Sequence, residues 1–401
     1  MYSSDPDPKT LLEPIAAGLS LAAVFLAVLA IPLDAAAELG LTASETSGWI
    51  TVVYGVPSLV TLVLAFVFRQ PLVMTGNVFI LIFVRAVGTD LTWAELVGAT
   101  MVAGIIVLAL GTAGVTHRLA EYLPAPIVWG LLAGAVLMFL QDTFTFLGSS
   151  TLLVGATLIA YFISRALFGN RIPAVLPALA VGLTTALVTA ETGPVPEPVW
   201  LPVTLTMPDL TLTAILTATP IFVVFITLQA NVPSLVFLDT HGYQVNGRRI
   251  SIISGLGTAI ASVFGPMGFS LSLPATAIVG GTDAGEKGSR YHGAYVAGLA
   301  GLLIGVFAGL AADLTEFIPV VLLTTLVGLA VIAILAQALQ EITKGPLVLG
   351  PLIAFAISLS QLELLGFGKF FWALVLGLAV SWLLERDAMR SIRSDRSRPG
   401  F

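Results

Sequence analysis

Apolar runs long enough to cross a bilayer recur from one end of this chain to the other, and they leave it few ways to fold in water. A helix needs roughly 20 residues to cross about 30 Å of hydrocarbon. Read on that scale, the sequence places spans near 14–33, 47–68, 75–88, 93–115, 125–147, 151–168 and 174–190. A second series lies near 217–238, 250–264, 272–282, 291–311, 317–339, 346–361 and 369–385. Charged residues make up only 10% of the chain, whereas a soluble domain carries about 25%. Lipid must therefore replace much of the water around it. The expected fold is an all-α polytopic membrane protein of fourteen transmembrane segments in two groups of seven. The polar, Pro-rich stretch from Glu191 to Asp209 divides them into repeats 1–200 and 201–401, and residues 210–216 are expected in the interface.

Charge placement orients the spans, because Lys and Arg gather on the cytoplasmic side. With a cytoplasmic N-terminus, all of the 17 Lys and Arg except Arg85 and Lys369 fall inside. Both termini are then cytoplasmic, in a multi-pass protein of the cell (inner) membrane. The acidic start Met1-Tyr-Ser-Ser-Asp-Pro-Asp-Pro8 lacks the basic n-region of a cleaved signal, so the first span is expected to stay in the protein. Net charge is −6 and there is no basic tract for nucleic acid. Arg390, Arg393, Arg396 and Arg398 read as a juxtamembrane tail facing anionic lipid. The absence of cysteine excludes disulfides, thiolate metal sites and cysteine nucleophiles together.

The third and tenth spans are too short to cross as simple helices, and each follows an extended-looking lead. These leads are Arg69-Gln-Pro-Leu-Val-Met-Thr-Gly-Asn77 and Gly265-Pro-Met-Gly-Phe-Ser-Leu-Ser-Leu-Pro274. One offset of 195 residues places Pro71 on Pro266, Thr75 on Ser270 and Asn77 on Ser272, and nearly the same offset relates Leu152-Leu-Val-Gly155 to Leu347-Val-Leu-Gly350. With seven spans in each half, such a repeat must be inverted. Paired, interrupted spans at equivalent positions point to a transporter's binding site. A half-helix that begins inside the membrane presents unpaired N–H groups and the positive end of its dipole. Two such ends can hold an anion without a cationic side chain. Thr75, Gly76 and Asn77, with Phe269, Ser270, Leu271 and Ser272, are the candidate substrate-binding residues at the two leads. Their polar members can equally cap the helix starts, and the two roles are compatible.

The eighth span adds Gln229 near its centre, with Asn231 and Pro233 close by. A primary amide at that depth costs several kcal/mol unless it is paired, by ligand or by a neighbouring helix. The two-residue spacing points Gln229 and Asn231 to different helix faces. No Asp, Glu, His, Lys or Arg is expected at mid-depth. Asp142, Glu13 and Glu95 lie near span ends, and His117, His241 and His292 near loops or span ends. With no carboxylate pair or metal-ligand cluster at depth, neither enzyme activity nor a metal or cofactor is expected.

The run Gln229-Ala-Asn-Val-Pro-Ser-Leu-Val-Phe-Leu-Asp-Thr-His-Gly-Tyr243 resembles the Gln-Asn-x-Pro-Gly…Gly-Tyr segment of the benzoate/proton symporter (BenE) family. Looser matches continue through Ser47-Gly-Trp49, Phe68-Arg-Gln-Pro71, Leu152-Leu-Val-Gly155 and Gly268-Phe269. Thr75-Gly-Asn77 departs from the family's more usual Ser/Thr-Pro-Gly, and Ser270-Leu-Ser-Leu-Pro274 is more polar than its counterpart. The resemblance implies the wider fold of nucleobase, sulfate and bicarbonate carriers. In that fold a core (spans 1–4 and 8–11) moves as an elevator against a gate (spans 5–7 and 12–14), often in a homodimer. It implies a secondary transporter of benzoate or a related carboxylate, with protons as the coupling ion. A carrier or channel for bicarbonate, sulfate or chloride is the alternative on the same fold.

Overall fold

Where these helices start and break follows from a few residues. Thr42 and Thr92 each accept a hydrogen bond from the N–H three residues on, and Glu45 and Glu95 reach back to close the capping box. Prolines then interrupt the helices, because proline supplies no N–H to the carbonyl four residues earlier. Pro32 follows a break at Leu29, Pro57 follows a π-helical turn at Thr51–Gly55, and Pro233 follows another at Thr227–Asn231.

The structure, a computed structural model, describes residues 11–88, 90–116, 124–169, 173–194 and 203–396. In the first half these form α1 (Leu12–Glu38), α2 (Ala43–Phe68), β1 (Met74–Gly76), α3 (Val78–Val87), α4 (Trp93–Ala113), α5 (Ala125–Ser149), α6 (Thr151–Phe168) and α7 (Val175–Val188). The second half gives α8 (Leu212–Thr240), α9 (Gly247–Ala261), β2 (Phe269–Leu271), α10 (Leu273–Gly280) and α11 (Tyr291–Val306, continuing as Ala308–Phe317). It ends with α12 (Val320–Lys344), α13 (Leu349–Ser358), α14 (Lys369–Leu384) and α15 (Arg386–Arg396).

The molecule is a mostly helical, multi-pass membrane protein. Among the described residues, 7 helices are long and apolar enough to cross a bilayer, or 8 counting the bent α11. Four further apolar helices are shorter: α3, α7, α13 and α14. Several boundaries differ from expectation. The first helix runs on past residue 33 to Glu38, carrying Asp34 into the protein interior. The eighth helix begins at Leu212, earlier than the expected 217. The eleventh helix bends by 64° after Val306. Part of the expected divider, 195–202, lies outside the described residues, as do His117, Arg118 and Arg171.

The helices pack in two groups. In one, α4 lies on α9 and α8, α11 lies on α1 and α2, and α3 touches α8. In the other, α5 packs on α12, α13 and α14, and α6 lies against α7 and α12. Small residues allow the closest crossings: a Cβ on Gly104 would collide with the Ala259 nitrogen, and one on Gly130 with the Pro351 carbonyl. The groups meet along a seam where α1 packs on α12 and α3 on α5.

Candidate functional site

The two extended leads meet. β1 and β2 pair antiparallel, with Met74 opposite Leu271, Thr75 opposite Ser270 and Gly76 opposite Phe269. Thr61 anchors one edge, its hydroxyl donating to the Met74 carbonyl (3.1 Å) and accepting from the Met74 N–H (2.9 Å). Gly76 runs so close to the π-helical turn of α2 that a Cβ would lie 2.7 Å from Val53 Cγ1 and 2.9 Å from the Val53 carbonyl oxygen. That carbonyl is the one that Pro57 cannot reach with an N–H.

Each strand delivers the chain to a helix start. Asn77 caps α3 by accepting from the N–H groups of Phe79 (3.0 Å) and Ile80 (3.3 Å). Ser272 caps α10 by accepting from Ala275 N–H at 3.4 Å, and Pro274 at the second helical position has no N–H. The caps leave the first N–H of each short helix, at Val78 and Leu273, without an acceptor among the described residues.

The capping residues are themselves held. Asn77 Nδ2 donates to the Phe225 carbonyl (3.0 Å) and to Ser270 Oγ (3.1 Å), which ties α3, β2 and α8 together. Asn231 is fully engaged: Oδ1 accepts from Leu271 N–H (2.9 Å) and Nδ2 donates to Ser254 Oγ (3.0 Å). Its chemistry is therefore to fix β2 against α8 and α9. Gln229 differs. It sits in the same π-helical turn at 6% exposure, yet neither Oε1 nor Nε2 has a hydrogen-bond partner in the protein. Its amide is the one buried side chain of this turn left with both a donor and an acceptor to offer.

The predicted residues thus gather around one strand pair in different roles. Thr75 and Ser270 share one face; Phe269 and Leu271 are buried on the other, where the Phe269 ring lies over Gly257. Phe269 is the one aromatic candidate that the sequence reading names; Phe79, Trp129 and Phe225 carry no comparable local signal in so apolar a chain. Phe79, at the start of α3, meets Trp129 of α5 edge-on at 5.5 Å between ring centroids and Phe225 at 5.8 Å. Among the described residues, no group of His, Cys, Asp or Glu is arranged to hold a metal.

The buried charges lie elsewhere and were also missed. Asp34 and Arg85 are 1% and 8% exposed, and Arg85 Nε lies 2.7 Å from Asp34 Oδ2. Lys369 is buried too, with Nζ 3.7 Å from Met138 Sδ. Asp34 is buried because α1 runs on to Glu38, and Arg85 finds its partner in a distant part of the chain.

Comparison with known proteins agrees with this architecture. A family model described as benzoate membrane transport protein (BenE) matches residues 10–383. The chain is 28% identical over 371 residues to the inner membrane protein YdcO of Escherichia coli, covering 89% of this chain and 94% of that one. It is 27% identical over 298 residues to the benzoate membrane transport protein of Acinetobacter baylyi, covering 72% and 74%. Among solved structures, the transmembrane domain of the cyanobacterial bicarbonate transporter BicA superimposes with a TM-score of 0.54 at 16% identity, over 94% of this chain and 97% of that one. Murine Slc26a9, an anion transporter in its inward-facing state, gives 0.62 at 15% identity, over 96% and 69%. At such identities these two likenesses concern the fold.

Proposed function

The chain belongs to the benzoate membrane transport protein family, and on that premise we propose that it is a proton-coupled secondary transporter of benzoate or a related small carboxylate. The observation that carries this reading is Gln229. A buried amide without partners costs the empty protein about 1–3 kcal/mol, a cost that a ligand bonding to it would recover. A carboxylate lying between the half-helix starts would accept from Gln229 Nε2 and from the free N–H groups of Val78 and Leu273. Hydrogen bonds to a charged acceptor are worth about 1.5–3 kcal/mol each. Thr75 and Ser270 border the same face, and the edges of Phe79 and Trp129 suit an aromatic ring. Gly76, Asn77, Asn231, Phe269, Leu271 and Ser272 would then shape the site through backbone position, capping and packing.

In this reading the two repeats, 1–200 and 201–401, are inverted copies. The strand register supports it: with an offset of 195, the pairing of Met74 with Leu271 maps onto that of Gly76 with Phe269, and Thr75 pairs with its own counterpart. The helix group containing α1–α4 and α8–α11 is the moving core, and α5–α7 with α12–α14 the gate. Fourteen crossings with cytoplasmic termini follow from the same repeat.

The test is a thermal-shift screen of the purified protein against carboxylates, bicarbonate, sulfate, chloride and nucleobases, followed by uptake into proteoliposomes. A ligand at 100 times its Kd stabilises the folded state by about 2.7 kcal/mol, so benzoate or a close relative should raise Tm and show saturable uptake. Stabilisation by inorganic anions alone would move the assignment to the inorganic-anion alternative, and a screen without any responding anion would remove the transport reading.

A further inference from the structure

We propose that Asp34 is the proton-binding group that couples this transporter to the proton gradient, acting through contacts that cross the seam between the two helix groups. The inference rests on the transport reading above. Among the described residues, Asp34 is the only acidic side chain buried in the protein. One of its oxygens is occupied: Oδ1 accepts from the Thr324 hydroxyl at 2.6 Å. The other, Oδ2, is ion-paired with Arg85, whose Nε lies 2.7 Å away. Oδ2 keeps a lone pair for a proton.

The ionisation of so deeply buried a carboxylate depends on what surrounds it, since a buried charge is tolerated only while it is paired. Its partner is contested. Arg85 Nη2 also lies 3.1 Å from Asp142 Oδ2 and 3.7 Å from Glu38 Oε2, and the guanidinium rests over the Phe139 ring at 4.6 Å. Three carboxylates therefore share one guanidinium. Asp142 and Glu38 are 42% and 47% exposed, where water screens them, and Asp34 is not. The other elements packed on α1 add little charge nearby. The second part of α11 carries the half-buried Asp313, Glu45 at the start of α2 is committed to capping Thr42, and α12 offers the neutral Thr324. Lys369, on α14, lies against Met138 of α5.

The cluster spans the seam. Asp34 and Arg85 belong to α1 and α3 on one side; Thr324 and Asp142 belong to α12 and α5 on the other. Any sliding of one group past the other must part Thr324 from Asp34 and Asp142 from Arg85, and must change the hydration of Asp34. A group whose proton affinity differs between two arrangements couples proton binding to the change between them, and the coupling is reciprocal. The substrate site is mechanically linked to this cluster, because α3 carries the cap Asn77 at one end and Arg85 near the other. Eight residues of helix separate them by about 12 Å.

The experiment uses full-length protein in proteoliposomes with a pH-sensing dye inside and benzoate as probe, corrected for permeation into protein-free vesicles. One coupled proton can support about tenfold accumulation per unit of pH gradient. The wild type should approach this and acidify the lumen as benzoate enters. Asp34→Asn should keep benzoate counterflow yet lose accumulation, down to no excess over the outside. If Asp34→Asn accumulates benzoate and acidifies the lumen as the wild type does, the assignment is wrong. A wild type that moves no benzoate defeats the transport reading and this inference with it. Should Asp34→Asn not fold, Thr324→Val decides, since it keeps the acid and removes the hydroxyl across the seam. The pH of half-maximal uptake should move, and an unmoved profile overturns the proposal.

Discussion

At the scale of single residues, the candidate site holds polar groups that packing alone would not choose. Gln229 is the clearest, because its amide is buried and unpaired. Replacing it with Met fills nearly the same space without a polar group to desolvate. Gln229→Met should therefore leave Tm of the empty protein unchanged or higher, and should weaken ligand binding about 10- to 100-fold, the equivalent of about 1.4–2.8 kcal/mol. Isothermal titration beside a melting curve separates the two effects, and equal losses in both would make Gln229 an ordinary structural residue. Gln229 was legible in the sequence because an amide stands out in an apolar run. Asp34 and Arg85 were not, because each looked like a span end, and only the folded chain brings them together. Asn231 was legible as a polar residue at depth, but its bond to Leu271 N–H depends on tertiary structure that no local pattern encodes. Glu385 shows the same limit at the end of α14. It accepts from the N–H groups of Val348 (2.6 Å), Leu349 (2.8 Å) and Gly350 (3.1 Å) and from the Ser381 hydroxyl (2.8 Å), so a residue beyond one helix caps another. Burial pushes its carboxyl up, but the bonds from Val348, Gly350, Leu349 and Ser381 outweigh that and hold it below its ordinary 4.5. A lowered folded-state pKa gives stability that is present above the unfolded value and lost as pH falls through the folded one. Glu385→Gln should cost about 1–2 kcal/mol at neutral pH, and the gap in Tm between variant and wild type should close below pH 4.5.

At the scale of elements, the short helices α3 and α10 owe their place to interruptions written into the sequence. Proline and glycine leads forecast α3 and α10 as short and preceded by extended chain, and the structure has β1 and β2 there. The π-helical turns in α2 and α8 have the same cause, since Pro57 and Pro233 leave the Val53 and Gln229 carbonyls without their helical donors. Neither turn raises Val53 or Gln229 to notice by periodicity, because both sit in continuous apolar helix. The bend in α11 has no proline at Phe307 to announce it. Gly76 is where two of these elements touch. Gly76→Ala would press a methyl group onto Val53, so β1 or the turn in α2 must shift. Overpacking of this kind costs about 1–3 kcal/mol. We expect a lower Tm and a loss of ligand affinity larger than that of any exposed Gly→Ala control, such as Gly148→Ala; equal behaviour of the two variants would mean that strand and turn are not held in register.

At the scale of the whole molecule, the argument turns on which way the helices run. The charge count left two basic residues on the wrong side, Arg85 and Lys369. Both are 8% exposed and held by protein contacts, so neither is a loop charge that the insertion machinery or an anionic lipid surface would read. With those two removed from the count, every remaining Lys and Arg falls on the face that the alternating reading of the spans makes cytoplasmic. On that reading the basic helix α15, which follows the last apolar helix, is expected on the cytoplasmic side. The chain suits a direct test because it has no cysteine. Gly148, in the last turn of α5 before α6, and Gly288, between α10 and α11, both have open space where a side chain would go. Alternating crossings from a cytoplasmic N-terminus put Gly148 outside and Gly288 inside. In intact cells a membrane-impermeant maleimide should label Gly148→Cys and spare Gly288→Cys until the membrane is opened. The reverse pattern would invert the orientation and turn the buried Asp34 cluster toward the cytoplasm, while labelling of both from outside would break the alternation between them and with it the inverted repeat.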